Sequence, residues 1–320
     1  MPNLVLQNQL TLLEIAKRKD PNGNFAVIAE ILDRTNAIMK DVPYIEANGA
    51  HYHKIVKRHS LPAGEWRKLN AGVGTAASDT TEVTETIGML EQYSEVDKVL
   101  IDIAANPSQA RMSEAAAFLE GMGQTWVETL FYGNGGTDPE KFTGLMPRLN
   151  DITLTNVLGC LGTGSDLTSA YIVAWGQGKC FGIYPKGHPT AGVEHKSLGE
   201  QTKVLTSTQY QIYRDHFKIY GGLAVADDRH IARLCNIESS GPANLFSDDK
   251  LIQLLNGMPA NAMPVIYVNK TLKTQMDIDA KDKANVNYTT ANVWGVPTLM
   301  FRGVPVKICE GIVNTEDECV

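Results

Sequence analysis

The sequence predicts an α+β protein, and three observations carry that expectation. One run of helical spacing, Asn106 to Tyr132, is far longer than any other in the chain. Two extended runs of opposite charge precede it. Short strands and short helices follow in irregular order, without the strand–helix alternation that a doubly wound parallel sheet requires.

With 320 residues, 43% of them hydrophobic and 20% charged, the chain has enough apolar material to bury one or two cores. No stretch approaches the roughly 20 apolar residues of a membrane helix, so no membrane partner is expected. The opening Met1-Pro-Asn-Leu-Val-Leu-Gln-Asn lacks a basic segment ahead of an apolar one, the pattern of a secretory signal. Five cysteines, Cys160, Cys180, Cys235, Cys309 and Cys319, are odd in number, scattered and free of any C-x-x-C pair. That pattern fits idle thiols in a reducing cytosol, not a disulfide framework or zinc site. A net charge of -7 argues against a protein whose task is to grip nucleic acid in a groove.

Residues 1–40 read as an arm. Leu6, Leu10 and Leu13 form one apolar stripe, Asp20-Pro21-Asn22-Gly23 breaks it, and Phe25, Ile28, Ile31, Leu32 and Ile38 form a second. Neither stripe is long enough to own a core. Residues 41–100 read as a long hairpin. Its first run, His51 to His59 with its continuation, carries Lys54, Lys57, Arg58, Arg67 and Lys68, and its second, Glu82 to Gln92, sits among Asp79, Glu82, Glu85, Glu91, Glu95 and Asp97. Opposite charges favour pairing across strands, and the middle, Asn70 to Thr81, is rich in small residues. Few strongly apolar positions line either run, so the hairpin is expected to project. Long protruding loops tend to be functional.

The helix has a clear start, with Asn106 as cap and Pro107 in the first turn. Met112, Ala115, Ala116, Leu119, Met122, Trp126, Val127 and Leu130 recur at helical spacing until Gly133 and Gly135-Gly136. Beyond it, Thr168 to Ala174 and Lys179 to Tyr184 are expected to form a hairpin around Gly176-Gln177-Gly178. Strands are expected over Gln209 to Tyr220, Arg229 to Ile237 and Val265 to Val268. Ser247-Asp248-Asp249 should cap a helix that ends at Gly257, and Asn269 another running from Lys270 to about Met276. Val296 to Val306 should be a strand pair turning at Arg302-Gly303.

The same residues offer little chemistry. His51 and His53, at a spacing of two on a strand with His59 nearby, share a face as metal ligands do. No Asp, Glu or Cys completes a tetrahedral set, so no metal is expected. Gly133 to Asp138 and Gly159 to Asp166 lack the Lys-Ser/Thr ending of a phosphate loop, and the first sits at a helix C-terminus, where the dipole repels phosphate. There is no Gly-x-Ser-x-Gly. The acidic pairs Asp227-Asp228 and Asp248-Asp249 suit a turn and a helix's first turn. His188, His195, His216 and His230 show no arrangement tied to a base. No catalytic residue and no cofactor is assigned.

Three stretches carry a resemblance. They are Trp175-Gly176 through Gly182-Ile183-Tyr184-Pro185-Lys186-Gly187; Gly222-Leu223-Ala224-Val225-Ala226-Asp227-Asp228-Arg229-His230-Ile231-Ala232-Arg233-Leu234-Cys235-Asn236-Ile237; and Phe301-Arg302-Gly303-Val304-Pro305-Val306 with Thr315-Glu316 downstream. In order and spacing they resemble the epsilon15 type of podovirus major capsid protein, within the Hong Kong 97 family of tailed-phage shells. The arm and hairpin tip match that family by character, not by residue.

The resemblance implies a fold with an N-terminal arm (1–40), an E-loop hairpin (41–100) and a spine helix with part of a P-domain (101–150). P-domain and A-domain strands follow (151–235), then an A-domain (236–295) and closing strands (296–320). It implies a non-enzymatic subunit assembling with itself, as hexamers and pentamers, into an icosahedral shell around double-stranded DNA. A portal protein, and possible scaffolding and cement or decoration proteins, would be further partners. Assembly would take place in the host bacterial cytoplasm, and the product would be the virion capsid. The hairpin residues Lys54, Lys57, Arg58, Glu82 and Glu85 are the expected intersubunit contacts. The alternatives are an encapsulin compartment shell, and an enzyme whose site converges only in space.

Overall fold

The computed structural model describes residues 36–103, 106–188, 192–281, 287–293 and 296–320, without the side chains of residues 59, 290–293 and 296–298. Both apolar stripes expected in the arm lie outside these residues, apart from Ile38, which opens the short helix α1 (Ile38–Asp41) and is fully buried. The described chain divides into two compact units. Among the described residues, one contains 89–126 and 192–220, the other 36–88, 127–188 and those from 221 onward.

In the first unit, β8 (Val193–Val204) and β9 (Gln209–Val225) form a long antiparallel hairpin, from Val193 opposite Ile219 to Val204 opposite Gln209. The register shifts at Gly199, whose φ of 73° is left-handed. β4 (Gly88–Asp97) runs along the other side of β9. Asp97 accepts a hydrogen bond from Val99 N at 2.9 Å and so caps α2 (Lys98–Asp102). Asn106 does the same for Gln109 at 3.2 Å and opens α3 (Pro107–Tyr132), a 26-residue helix whose start and end agree with the sequence signals. Val96, Ile101, Ala110, Ile212, Phe217 and Met122 are buried here.

The expected apolar stripe of α3 is only partly covered. Met122 and Trp126 are buried, but Met112 is 73% exposed and Leu119 38%. The sequence assigns the acids Glu91 and Glu95 to the hairpin, and the structure corrects this. Both lie on β4, where Glu95 pairs with Lys203 and Arg214 at 2.5 and 2.7 Å and Glu91 faces His216 at 3.1 Å. The extended run from Glu82 to Gln92 is therefore two strands, broken at Ile87.

In the second unit a seven-stranded sheet has the order β12-β13-β14-β11-β6-β10-β5. In chain order its strands are β5 (Val157–Gly159), β6 (Leu167–Ala174), β10 (Ile231–Glu238), β11 (Pro264–Val268), β12 (Tyr288–Val293), β13 (Val296–Phe301) and β14 (Val304–Ile308). α4 (Asp248–Gly257) and α5 (Lys270–Ala280) cover one face, where Ala170, Ile172, Leu234 and Ile266 meet Leu251, Leu254, Leu272 and Met276. Asn269 caps α5 through Leu272 N at 2.8 Å, whereas Ser247 makes no side-chain capping bond. Arg302 and Gly303, both left-handed, form the turn expected between β13 and β14.

The hairpin expected around Gly176-Gln177-Gly178 is corrected. The tight turn exists, with Gly176 N donating to Cys180 O at 2.9 Å, but its two arms part. β6 enters the seven-stranded sheet between β10 and β11, while β7 (Cys180–Tyr184) lies between β1 (Tyr44–Glu46) and the end of β9. All of β6 and most of β7 are buried. A hairpin with one wet face alternates polar and apolar residues; continuous apolar runs belong to strands covered on both faces.

Where α3 ends, Gly133 and Gly144 are required by close approach. A Cβ on Gly133 would lie 2.5 Å from Phe142 O, and one on Gly144 2.6 Å from Thr129 O. The chain after the helix is thereby pressed against its last turn, with Leu145 N donating to Leu130 O at 2.9 Å.

Candidate functional site

The hairpin is formed by β2 (Tyr52–Ser60) and β3 (Asp79–Thr86), antiparallel from Tyr52 opposite Thr86 to Ser60 opposite Asp79. The opposed charges do not face each other directly. Lys54 is opposite Thr84 and reaches diagonally to Glu82 on the same face, at 2.5 Å. Both side chains are about half exposed, and water screens such a pair so well that it adds little to stability. The other face is half-covered: Ile55 and Ile87 pack on Ala47, Phe181, Ile183 and Ala224. His53 stands edge-on to the Phe181 ring at 5.6 Å, and its Nδ1 accepts from Asn48 N at 3.3 Å. Burial holds its pKa below the ordinary histidine value, against an opposing pull from Glu85.

The five expected contact residues separate by environment. Glu85 is 5% exposed, and its carboxylate is gripped by both Arg148 Nη atoms at 2.7 and 2.6 Å. Arg148 also donates to Gly144 O and Thr143 O, so this clamp joins β3 to the chain after α3, and the Glu85 charge is engaged within the subunit. Lys57 donates to Asp228 at 2.9 Å. Lys54, Arg58 and Glu82 lie on the exposed surface. Replacing Arg148 with alanine leaves Glu85 buried without its partner and should cost about 3 kcal/mol. Denaturant unfolding of the subunit checks this; a change below about 1 kcal/mol, the scale of an exposed pair, would count against the clamp.

Toward its tip the hairpin is uncovered among the described residues. Every residue from Ser60 to Glu82 is exposed. Trp66 is at 104% of its reference exposure, Leu69 at 93% and Leu61 at 76%. A fully exposed tryptophan with apolar neighbours on one loop is unusual for a surface that faces only water.

In the first unit Met112, Ala115, Ala116, Leu119 and Phe217 line a cleft of about 490 Å³ together with Arg111, His195, Ser197 and Asp215. Ser, His and Asp meet here, as in a hydrolase. The relay order is absent: Ser197 Oγ accepts from Arg111 at 2.8 Å, and His195 Nε2 faces Asp215 at 3.2 Å. A triad needs the histidine between the serine and the acid. Burial works against ionisation of Asp215, yet hydrogen bonds from Arg111, His195 and Ser197 together keep its pKa below the ordinary value. His216 and His230 also sit beside carboxylates, Glu91 and Asp227.

The most buried charges were missed by sequence reasoning. Arg233 on β10 and Glu316 meet at 2.9 Å, each 1% exposed. Glu316 also accepts from Tyr132 at 2.6 Å, Tyr171 at 3.0 Å and Ser169, while Arg233 donates to Ser169 and Leu149 O, each at 3.0 Å. Every polar group in this cluster has a partner, the condition under which a buried ion pair is tolerated. Arg233 and Glu316 are 83 positions apart, and no local pattern links them.

Residues 20–320 match the family described as Major capsid protein GP7. Among solved structures the chain is similar to one from the cryo-EM structure of bacteriophage Epsilon15, with 29% identity over 99% of each chain and a TM-score of 0.74. It also shares its fold with a chain of the bacteriophage JBD30 capsid, with 14% identity, 94% of this chain and 99% of that one covered, and a TM-score of 0.51. Curated protein sequences yield no match.

Proposed function

The chain belongs to the major capsid protein GP7 family, and from that premise we propose that its β2–β3 hairpin is an arm by which each subunit holds a neighbouring copy. The protein is a structural subunit of an icosahedral bacteriophage capsid, a component of the virion and not an enzyme. That membership also decides against a compartment shell or a hydrolase.

The exposed loop from Leu61 to Ser78, with Trp66 as its largest apolar side chain, carries the proposal. Burying a tryptophan and two leucines on a neighbour supplies apolar area of the kind that obligate interfaces use. Arg58 and the Lys54–Glu82 pair lie on the exposed faces beside the loop and contribute its polar rim. Glu85 and Lys57 act from within, rooting the hairpin through Arg148 and Asp228. Heterologous contacts of this sort close into rings, here hexamers and pentamers.

The shell encloses double-stranded DNA without gripping it, in keeping with a net charge of -7. The division proposed for the chain is arm, E-loop, spine, P-domain, A-domain and closing strands, with the E-loop ending before the strand Gly88–Asp97, which pairs with β9. A portal protein is a further partner, as are scaffolding and cement proteins where assembly calls for them, and the host cytoplasm is the place of assembly. Negative-stain microscopy and size-exclusion of the purified protein test the reading. Shells, hexamers or pentamers are expected; a persistent monomer or dimer under assembly conditions would overturn it.

A further inference from the structure

Three of the five cysteines lie together in the second unit, all buried: Cys160 on leaving β5, Cys235 near the end of β10, and Cys319. The backbone explains the gathering. Cys160 N donates to Cys235 O at 2.9 Å. One residue on, the β10–β6 register breaks between Leu234 and Ile237, and Asn236 is left-handed there, with φ 54°. Its side chain takes the place of a strand partner for residue 319. Asn236 Nδ2 donates to Cys319 O at 2.8 Å, and its Oδ1 accepts from Cys319 N at 2.9 Å. Cys319 is thus held through both its backbone N–H and its carbonyl. The Cys235 sulfur donates to Leu158 O at 3.4 Å. It lies on the same side as the Asn236 amide that holds residue 319, since a Cβ on Gly159 would meet the two at 3.7 and 3.4 Å. The Cys235 and Cys319 thiols interact electrostatically.

We propose that Cys235 and Cys319 form a latent disulfide that staples the segment carrying Glu316 onto β10 once the protein meets a small-molecule disulfide oxidant. The chemistry is thiol–disulfide exchange. The Cys319 thiolate attacks one sulfur of the oxidant and expels its first thiol. Cys235, as thiolate, then attacks Cys319 Sγ and expels the second. Two protein thiols lose two protons and two electrons, and the oxidant leaves as two thiols. The bridge closes a loop containing α4, α5, β11 and β12 to β14, and it fixes the strand end next to the Arg233–Glu316 pair. Reducing surroundings keep the thiols open and oxidising surroundings close them.

The same burial makes the reaction conditional. It pushes the Cys235 thiol up to about 12 and Cys160 up to about 11, and only the thiolate reacts. Attack therefore requires the segment from Val313 to Val320 to lift. Val320 is 78% exposed, and its carbonyl is tied to Ile152 N at 3.4 Å.

The experiment exposes the full-length protein to oxidised glutathione at neutral pH, with and without urea well below the unfolding midpoint. Thiols are then blocked under denaturing, non-reducing conditions and the peptides mapped by mass. The expected result is loss of two blockable thiols, one linked peptide pair joining Cys235 to Cys319, and faster linkage in urea. Cys319→Ser should abolish the linkage and Cys160→Ser should leave it. Retention of all five thiols in urea, a lasting glutathione adduct on Cys319, or a bridge through Cys160 would each overturn the proposal. Mapping of the unsubstituted protein decides the matter even where a variant folds poorly.

Discussion

Replacing Glu316 with glutamine is expected to lower subunit stability by about 3–5 kcal/mol, the cost of removing one partner from a buried ion pair. A domain's whole stability is of order 5–15 kcal/mol, so the variant would be marginal. Arg233 would keep a charge at 1% exposure with no counter-charge, and the hydroxyls of Tyr132, Tyr171 and Ser169 would converge on an amide that cannot accept from all of them. Removing both charges together, as Arg233→Met with Glu316→Leu, should recover a large part of the loss, because an apolar pair of similar volume leaves no buried charge behind. Urea unfolding of isolated subunits separates these outcomes. Equal loss in the single and double variants would mean that shape, and not charge, dominates the site.

Trp66→Ala is expected to abolish or sharply reduce particle formation while leaving subunit unfolding unchanged. Truncating a central interface aromatic typically costs about 2–4 kcal/mol per contact, or roughly 30- to 1,000-fold in the association constant of each one. A shell repeats each contact many times, so the loss compounds. Within the subunit Trp66 is fully exposed, and its removal takes away no packing there. Melting of subunits beside particle yield is the measurement. A fall in melting temperature matching the fall in yield would place Trp66 in folding instead of assembly.

The contrast between these two residues marks how far the chain could be read directly. Asn106, Pro107 and the apolar spacing from Met112 to Leu130 state the long helix openly, because capping and periodicity are local properties. The exposure of Met112 and Leu119 is not local; it depends on what else the subunit folds against that face. Likewise the stretch from Gly176 to Tyr184 announces a tight turn, yet which sheet each arm joins is set by distant strands, β11 for one and β1 for the other. The charge-split hairpin is legible as a pair of strands. Its last acids are not, since Glu91 and Glu95 find their partners more than 100 positions away on β8 and β9.

The sequence by itself determined the long helix with its Asn106 cap, the Asn269 cap, the turn at Arg302-Gly303 and, through three ordered motifs, the shell family. Those depend on neighbours a few residues apart. Only the tertiary structure decided that Glu85 is the inner half of a clamp, that Arg233 and Glu316 share a buried cluster, and that Cys319 is held by the side chain next to Cys235. Each depends on chain segments far apart in sequence meeting where water is excluded. There a charge or thiol is governed by its spatial neighbours, and sequence spacing carries no record of them.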